Sequence, residues 1–311
     1  MSIRRNLWVL TALTYLAFAS IAARAAKSPY DAIYVFGDSY CDVGNIYAAT
    51  SHETPPSPPY FMGRFSNGPI WVEHVASAWG LPMTASLAGG TDYAFGDAYV
   101  TLTSAQNPAG PIPSVPQQVE MYLSSLPDGH ADPKALYVIE GGGNDILGDL
   151  AEGVPAEELA YQIARGITES ERLLRRAGAE NFLIPDLLDV GQLPAAQLNA
   201  AFATAASVAT NKALDEFLGH EPPFDRVRIH RLDVFSLFHD IAADSTHFGF
   251  TNITTPCLTP TLGPPPGLSE CADPDHTLFW DAEHPTEFGH AFFAVTVEAS
   301  LGKQRPDDRR W

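Results

Sequence analysis

Apolar residues along the chain follow two alternating rhythms. Short, nearly continuous apolar runs lie in DAIYVFGDS, ALYVIEGGGND and NFLIPD, the first two ending in polar or glycine-rich turns, and RVRIHRLDV reads as a further strand with its apolar residues interleaved with charged ones. Runs of this length and composition predict buried strands. A fifth short strand is expected at residues 84–87, just before the glycines of AGGTDYAFGDA. Between these runs, apolar positions take helical spacing in PIWVEHVASAW, in VPQQVEMYLSSL and over residues 155–177, 194–218 and 285–300. Strands alternating with helices predict an α/β fold: three α/β/α layers around a five-stranded, open, doubly wound parallel sheet. In that architecture ligands bind beyond the carboxyl ends of the strands. The polar motifs GDS and GGND both follow strands, so they are expected at that edge.

The connections are uneven. TSHETPPSPPYFMG and TSAQNPAGPIPSVP are proline-rich, and residues 244–280 form a longer irregular stretch. No internal repeat and no inter-domain linker interrupts the pattern, so residues 26–311 are expected to form one domain. Residues 1–25 stand apart. Arg4 and Arg5 precede an apolar run over residues 7–22, and Ala23-Arg24-Ala25 supplies an A-x-A pattern. This is the layout of a secretory leader cleaved after Ala25, with an uncleaved membrane anchor as the alternative. No later stretch holds 18 consecutive apolar residues, so no further membrane span is expected. The expected location is secreted or periplasmic.

Charge narrows the partners. The whole chain carries a formal charge of −19; the leader holds three arginines and no acid, so its loss takes the charge to about −22. Such a surface repels phosphate backbones and anionic lipid surfaces, which excludes nucleic acid as an expected partner. A monomer acting on a small-molecule, lipid or glycan ester is expected instead. Of the three cysteines, Cys257 and Cys271 flank TPTLGPPPGLSE and are the expected disulfide in an oxidising compartment. Cys41 is left over, expected as a small buried apolar residue. With no CxxC and no HExxH, neither a metal nor another cofactor is indicated.

Candidate chemistry gathers at the strand ends. Acyl transfer needs a nucleophile, a base, a group that orients the base, and donors for the developing oxyanion. Ser39 lies at the turn after the first strand in FGDSYCDVGN; taken alone it serves equally as a helix N-cap. Cys41 stands where GxSxG needs its second glycine, which disfavours an α/β-hydrolase nucleophile elbow. In WDAEHPTEFGH, Asp281 precedes His284 by three residues, close enough for one turn to pair carboxylate and imidazole; a helix-capping Asp beside a surface His is the alternative. Glu283 ranks below Asp281. Asn144 in IEGGGND could donate an amide to an oxyanion, or be a plain turn residue. Gly96 in DYAFGDA is a backbone donor or an ordinary turn glycine. The glycines before Asn144 do not make GxGxxG, so a dinucleotide site is poorly supported.

Taken in order, GDS at Ser39, YAxG at Gly96, GxND at Asn144 and DxxHP at Asp281 to His284 resemble the GDSL, or SGNH, hydrolase family of lipases, esterases, lysophospholipases and acyltransferases. The resemblance extends through GDSxxDxGN and GRFSNGPIWVE. It implies a flavodoxin-like fold, Ser39 as nucleophile, His284 as base and Asp281 as its orienting partner. It also implies an oxyanion hole of the Ser39 N–H, the Gly96 N–H and the Asn144 amide. The chain departs from the family in having Tyr40 and Cys41 after the nucleophile and Asp97 after Gly96. The expected activity is hydrolysis of carboxylic esters through an acyl-enzyme on Ser39. Glycan O-deacetylation, a phospholipase or acyltransferase activity, and a non-catalytic binding module are the alternatives.

Overall fold

A computed structural model describes residues 28–150, 153–219, 226–260 and 267–302; the expected leader lies outside the described residues. Along the chain come β1 (Ile33–Phe36), α1 (Asn45–Ala49), α2 (Trp71–Ala78), α3 (Val115–Ser125), β2 (Leu136–Ile139), α4 (Gly143–Asp149) and α5 (Ala156–Arg176). There follow β3 (Asn181–Pro185), α6 (Ala200–Gly219), β4 (Arg228–Leu232), α7 (Val234–Ala243), a hairpin of β5 (Leu258–Pro260) and β6 (Leu268–Glu270), and α8 (Glu287–Gly302). β1 to β4 form a parallel sheet in the order β1-β2-β3-β4.

Strand alternation sends successive side chains to opposite faces. Ile33, Leu136, Val138 and Leu183 meet α2 and α8, which pack on each other. Tyr34, Phe36 and Tyr137 meet Tyr122 of α3, with ring centroids 4.6–5.9 Å apart. α3 and α6 in turn pack on α5. Every residue of β2 is buried, as expected of an inner parallel strand covered on both sides.

The expected strand at 84–87 is not a strand, and the sheet has four strands among the described residues rather than five. The chain doubles back through Gly89, at φ 82°, so that Ser86 N–H donates to Asp92 and Asp92 N–H to Thr84. These backbone groups are consumed locally. Only the next segment reaches the free edge of β1, where Val35 N–H donates to Thr91 and Tyr93 N–H to Val35. An isolated parallel bridge between Val35 and Asp92 therefore stands where the fifth strand was expected. The long helices fall close to their expected positions: 155–177 becomes α5, and 194–218 becomes a 3₁₀ segment, Pro194–Asn199, leading into α6.

Candidate active site

Ser39 sits on a tight turn at the carboxyl end of β1. A buried glutamine from α3 clamps the turn: Gly37 N–H donates to Gln118 Oε1 at 2.8 Å, and Gln118 Nε2 donates to Gly37 O at 2.9 Å. Within the turn, the N–H groups of Cys41 and Asp42 both donate to Asp38 O. No helix begins here; α1 starts at Asn45 and its N-cap is Gly44. Ser39 is therefore not an N-cap. Its hydroxyl lies 2.8 Å from His284 Nε2, across 245 positions of sequence.

The Asp281–His284 turn is held by the carboxylate itself. Asp281 Oδ1 accepts the backbone N–H groups of Glu283 and His284, each at 2.8 Å. Its two oxygens lie 2.9 and 2.8 Å from His284 Nδ1. A proton on Nδ1 then points at the carboxylate, leaving Nε2 as acceptor for the Ser39 hydroxyl. Burial works against charge on His284, but Asp281, aided by Glu283 and Asp38, outweighs it and lifts the imidazole to about 9. Burial likewise works against the Asp281 anion; the His284 charge and its hydrogen bonds reverse that and hold the carboxyl at about 2. Phe65 lies over the imidazole with ring centroids 4.9 Å apart.

Sequence reasoning missed Tyr60, which comes from the first proline-rich connection. Its phenol donates to Asp281 Oδ2 at 2.7 Å, so the carboxylate has a donor on each side. Tyr60 packs against a cluster of Cys257, Leu258 and Trp280. Cys257 and Cys271 are joined in a disulfide, and the bonded hairpin donates from Cys257 and Leu258 to the carbonyls of Phe279 and Trp280, immediately before Asp281. Cys41 is buried as expected; burial pushes its thiol well up, and Glu140 beside it adds to the shift. Among the described residues, no group of three or more His, Cys, Asp or Glu side chains is placed to hold a metal ion.

The opposite side of Ser39 is backbone-rich. Asn144, in the first turn of α4, donates one amide hydrogen to Ala98 O at 2.9 Å and lines the same small pocket as Ser39 and His284. That leaves its second amide hydrogen for the pocket. Gly142, at φ 112°, lets the turn lie against α5; a Cβ there would come within 2.7 Å of Ile163. The Ser39 N–H has no acceptor among the described residues. The expected Gly96 donor differs. Its N–H is spent on Asp42 Oδ2 at 2.8 Å, and an amide has one hydrogen to give. Asp42, fully buried, also accepts from the N–H groups of Gly44, Asn45 and Ile46. Gly96 matters through its missing side chain, since a Cβ would stand 2.4 Å from the Phe65 ring that covers His284.

The GDSL-like lipase/acylhydrolase family matches residues 33–296. The thermolabile hemolysin of Vibrio parahaemolyticus is 28% identical over 278 residues, covering 84% of this chain; the match spans 62% of the hemolysin. The phosphatidylcholine-sterol acyltransferase of Aeromonas hydrophila is 27% identical, with 87% of this chain and 78% of that protein covered. Acetylajmalan esterase 2 of Rauvolfia serpentina is 25% identical over 84% of this chain and 88% of its own length. The chain belongs to the GDSL-like lipase/acylhydrolase family.

Proposed function

We propose that the protein is a secreted serine ester hydrolase that cleaves carboxylic esters through an acyl-enzyme on Ser39. The observation that carries the reading is the unbroken polar chain from Ser39 Oγ through His284 to Asp281, with each gap 2.8–2.9 Å. Neutral His284 takes the Ser39 proton as the hydroxyl attacks the ester carbonyl. The oxyanion is received by the Ser39 N–H and the free hydrogen of the Asn144 amide. His284 then hands its proton to the leaving alcohol, and water repeats the sequence on the acyl-enzyme. Asp281 holds the tautomer and offsets the imidazolium charge. No step calls for a cofactor or a metal.

The broader reading is a single domain over residues 26–311, three-layered, released from its leader. The Cys257–Cys271 disulfide supports an oxidising destination. Among the described residues, no helix is long and apolar enough to cross a membrane. The acyltransferase name of the Aeromonas relative favours a second reading, in which an alcohol replaces water on the same acyl-enzyme. Turnover of a short p-nitrophenyl ester tests the first reading. Ser39→Ala, with unchanged circular dichroism, is expected to lose it; retained turnover would overturn the assignment. Product analysis with added alcohols separates the two acceptors.

A further inference from the structure

The enclosed part of the pocket at Ser39 is small. Ser39, Asn144 and His284 line a space of ≈ 20 Å³. At roughly 10–15 Å³ per water-sized group, it takes the ester carbonyl and little more. Tyr40, Glu140 and Leu188 wall this pocket, and the same three residues wall a second cleft beside it. That cleft lies between α8 and the carboxyl ends of β3 and β4, lined by Leu232, Val234, Phe293 and Val297 among others. Its volume is ≈ 50 Å³, room for about four methylene-sized groups on the same scale. Nothing in the chemistry at Ser39 uses it.

We infer that this cleft is the acyl-chain subsite, built for a straight acyl chain of about four to six carbons. The inference rests on acylation of Ser39 and adds to it the chain length that the site accepts. The shared walls make the two spaces neighbours, and the apolar lining matches an alkyl chain better than a sugar or a charged headgroup. The Tyr40 ring is a fixed part of the partition, because its hydroxyl donates to Glu283 O at 2.6 Å. Leu188, the third shared wall, is apolar and lines both spaces, and the proposed chain crosses the partition beside it. Two carboxyl groups border the cleft. Asp186 is paired with Arg231. Burial pushes the Glu140 carboxyl above its usual range, which favours a neutral wall.

The test is kcat/KM for p-nitrophenyl esters from acetyl to dodecanoyl, for the full chain and its variants. Each methylene buried in an apolar cleft is worth roughly fourfold, so the wild type should climb steeply from acetyl to about hexanoyl and then level off. Val234→Trp fills the cleft and should bring the hexanoyl-to-acetyl ratio close to one. Phe293→Ala enlarges it and should move the plateau toward octanoyl or longer; this second variant keeps the test decisive if the first fails to fold. Profiles that stay at the wild-type shape in folded, active variants would overturn the subsite while leaving Ser39 chemistry intact. Turnover undiminished by Ser39→Ala would overturn both.

Discussion

On one side of Ser39, side chains hand on a single line of contacts from Ser39 to His284, Asp281 and Tyr60, every gap between 2.7 and 2.9 Å. On the other side lie main-chain groups and one amide, and some of their hydrogens are already spent on other acceptors. Gly96 N–H goes to Asp42, and half of the Asn144 amide goes to Ala98. The first side depends on charge: a buried imidazole lifted to about 9 by a carboxylate held at about 2. The second, as the proposed oxyanion hole, would depend on placement, since neutral donors gain their strength from being fixed before the reaction. Damage to the first side should therefore change how the rate depends on pH. Damage to the second should lower the rate at every pH.

The largest contrast is expected from Asp281→Asn. Loss of the orienting carboxylate should cost about 10⁴-fold in kcat. The base must be neutral to accept a proton, and His284 sits at about 9, so wild-type kcat/KM should rise with pH up to about 9. Without the carboxylate, the group that raises the imidazole is gone, and the rising limb should move to lower pH. A limb that stays in place would break the distinction between the two sides. Asn144→Ala comes next, with a loss of about 10²–10³-fold from removal of one oxyanion donor. Its pH profile should keep the wild-type shape. Tyr60→Phe should have the smallest effect, about tenfold in kcat: a hydrogen bond to a charged group is worth ~1.5–3 kcal/mol, and water can replace part of it. A steady-state split showing a change in KM alone would remove Tyr60 from the relay.

The same division explains how much of the molecule could be read from its residues. The roles proposed for Ser39, Asp281, His284 and Asn144 belong to side chains, so residue type and motif order locate them. β1, β2 and β3 announce themselves as apolar runs, β4 by apolar residues interleaved with charged ones, and α5 by its helical periodicity. Residues 84–87 look like a strand because their composition fits one; what cancels it is a local choice of hydrogen-bond partners around Gly89 and Asp92. The Gly96 amide fails to appear as a donor for a similar reason. Where a backbone hydrogen points depends on which buried acceptor lies opposite, here the Asp42 carboxylate 54 positions earlier. Asp42 itself was visible within GDSxxDxGN, but nothing in the motif says which amides it gathers. Tyr60 carried no signal beyond a lone aromatic in a proline-rich loop. Its place beside Asp281 is set by the hairpin closed by Cys257 and Cys271 and by Trp280.

Covalent labelling tests the central claim most directly. The protein is treated with an organophosphate and the modified peptide is located by mass spectrometry, alongside His284→Ala and Ser39→Ala. The relay predicts one label per chain, on Ser39, forming at least a thousandfold more slowly in His284→Ala, in keeping with the loss of a general base at about 10²–10⁴-fold and of its orienting geometry. Labelling of Ser39 at the same rate with and without the imidazole, or a label carried on another residue, would contradict it.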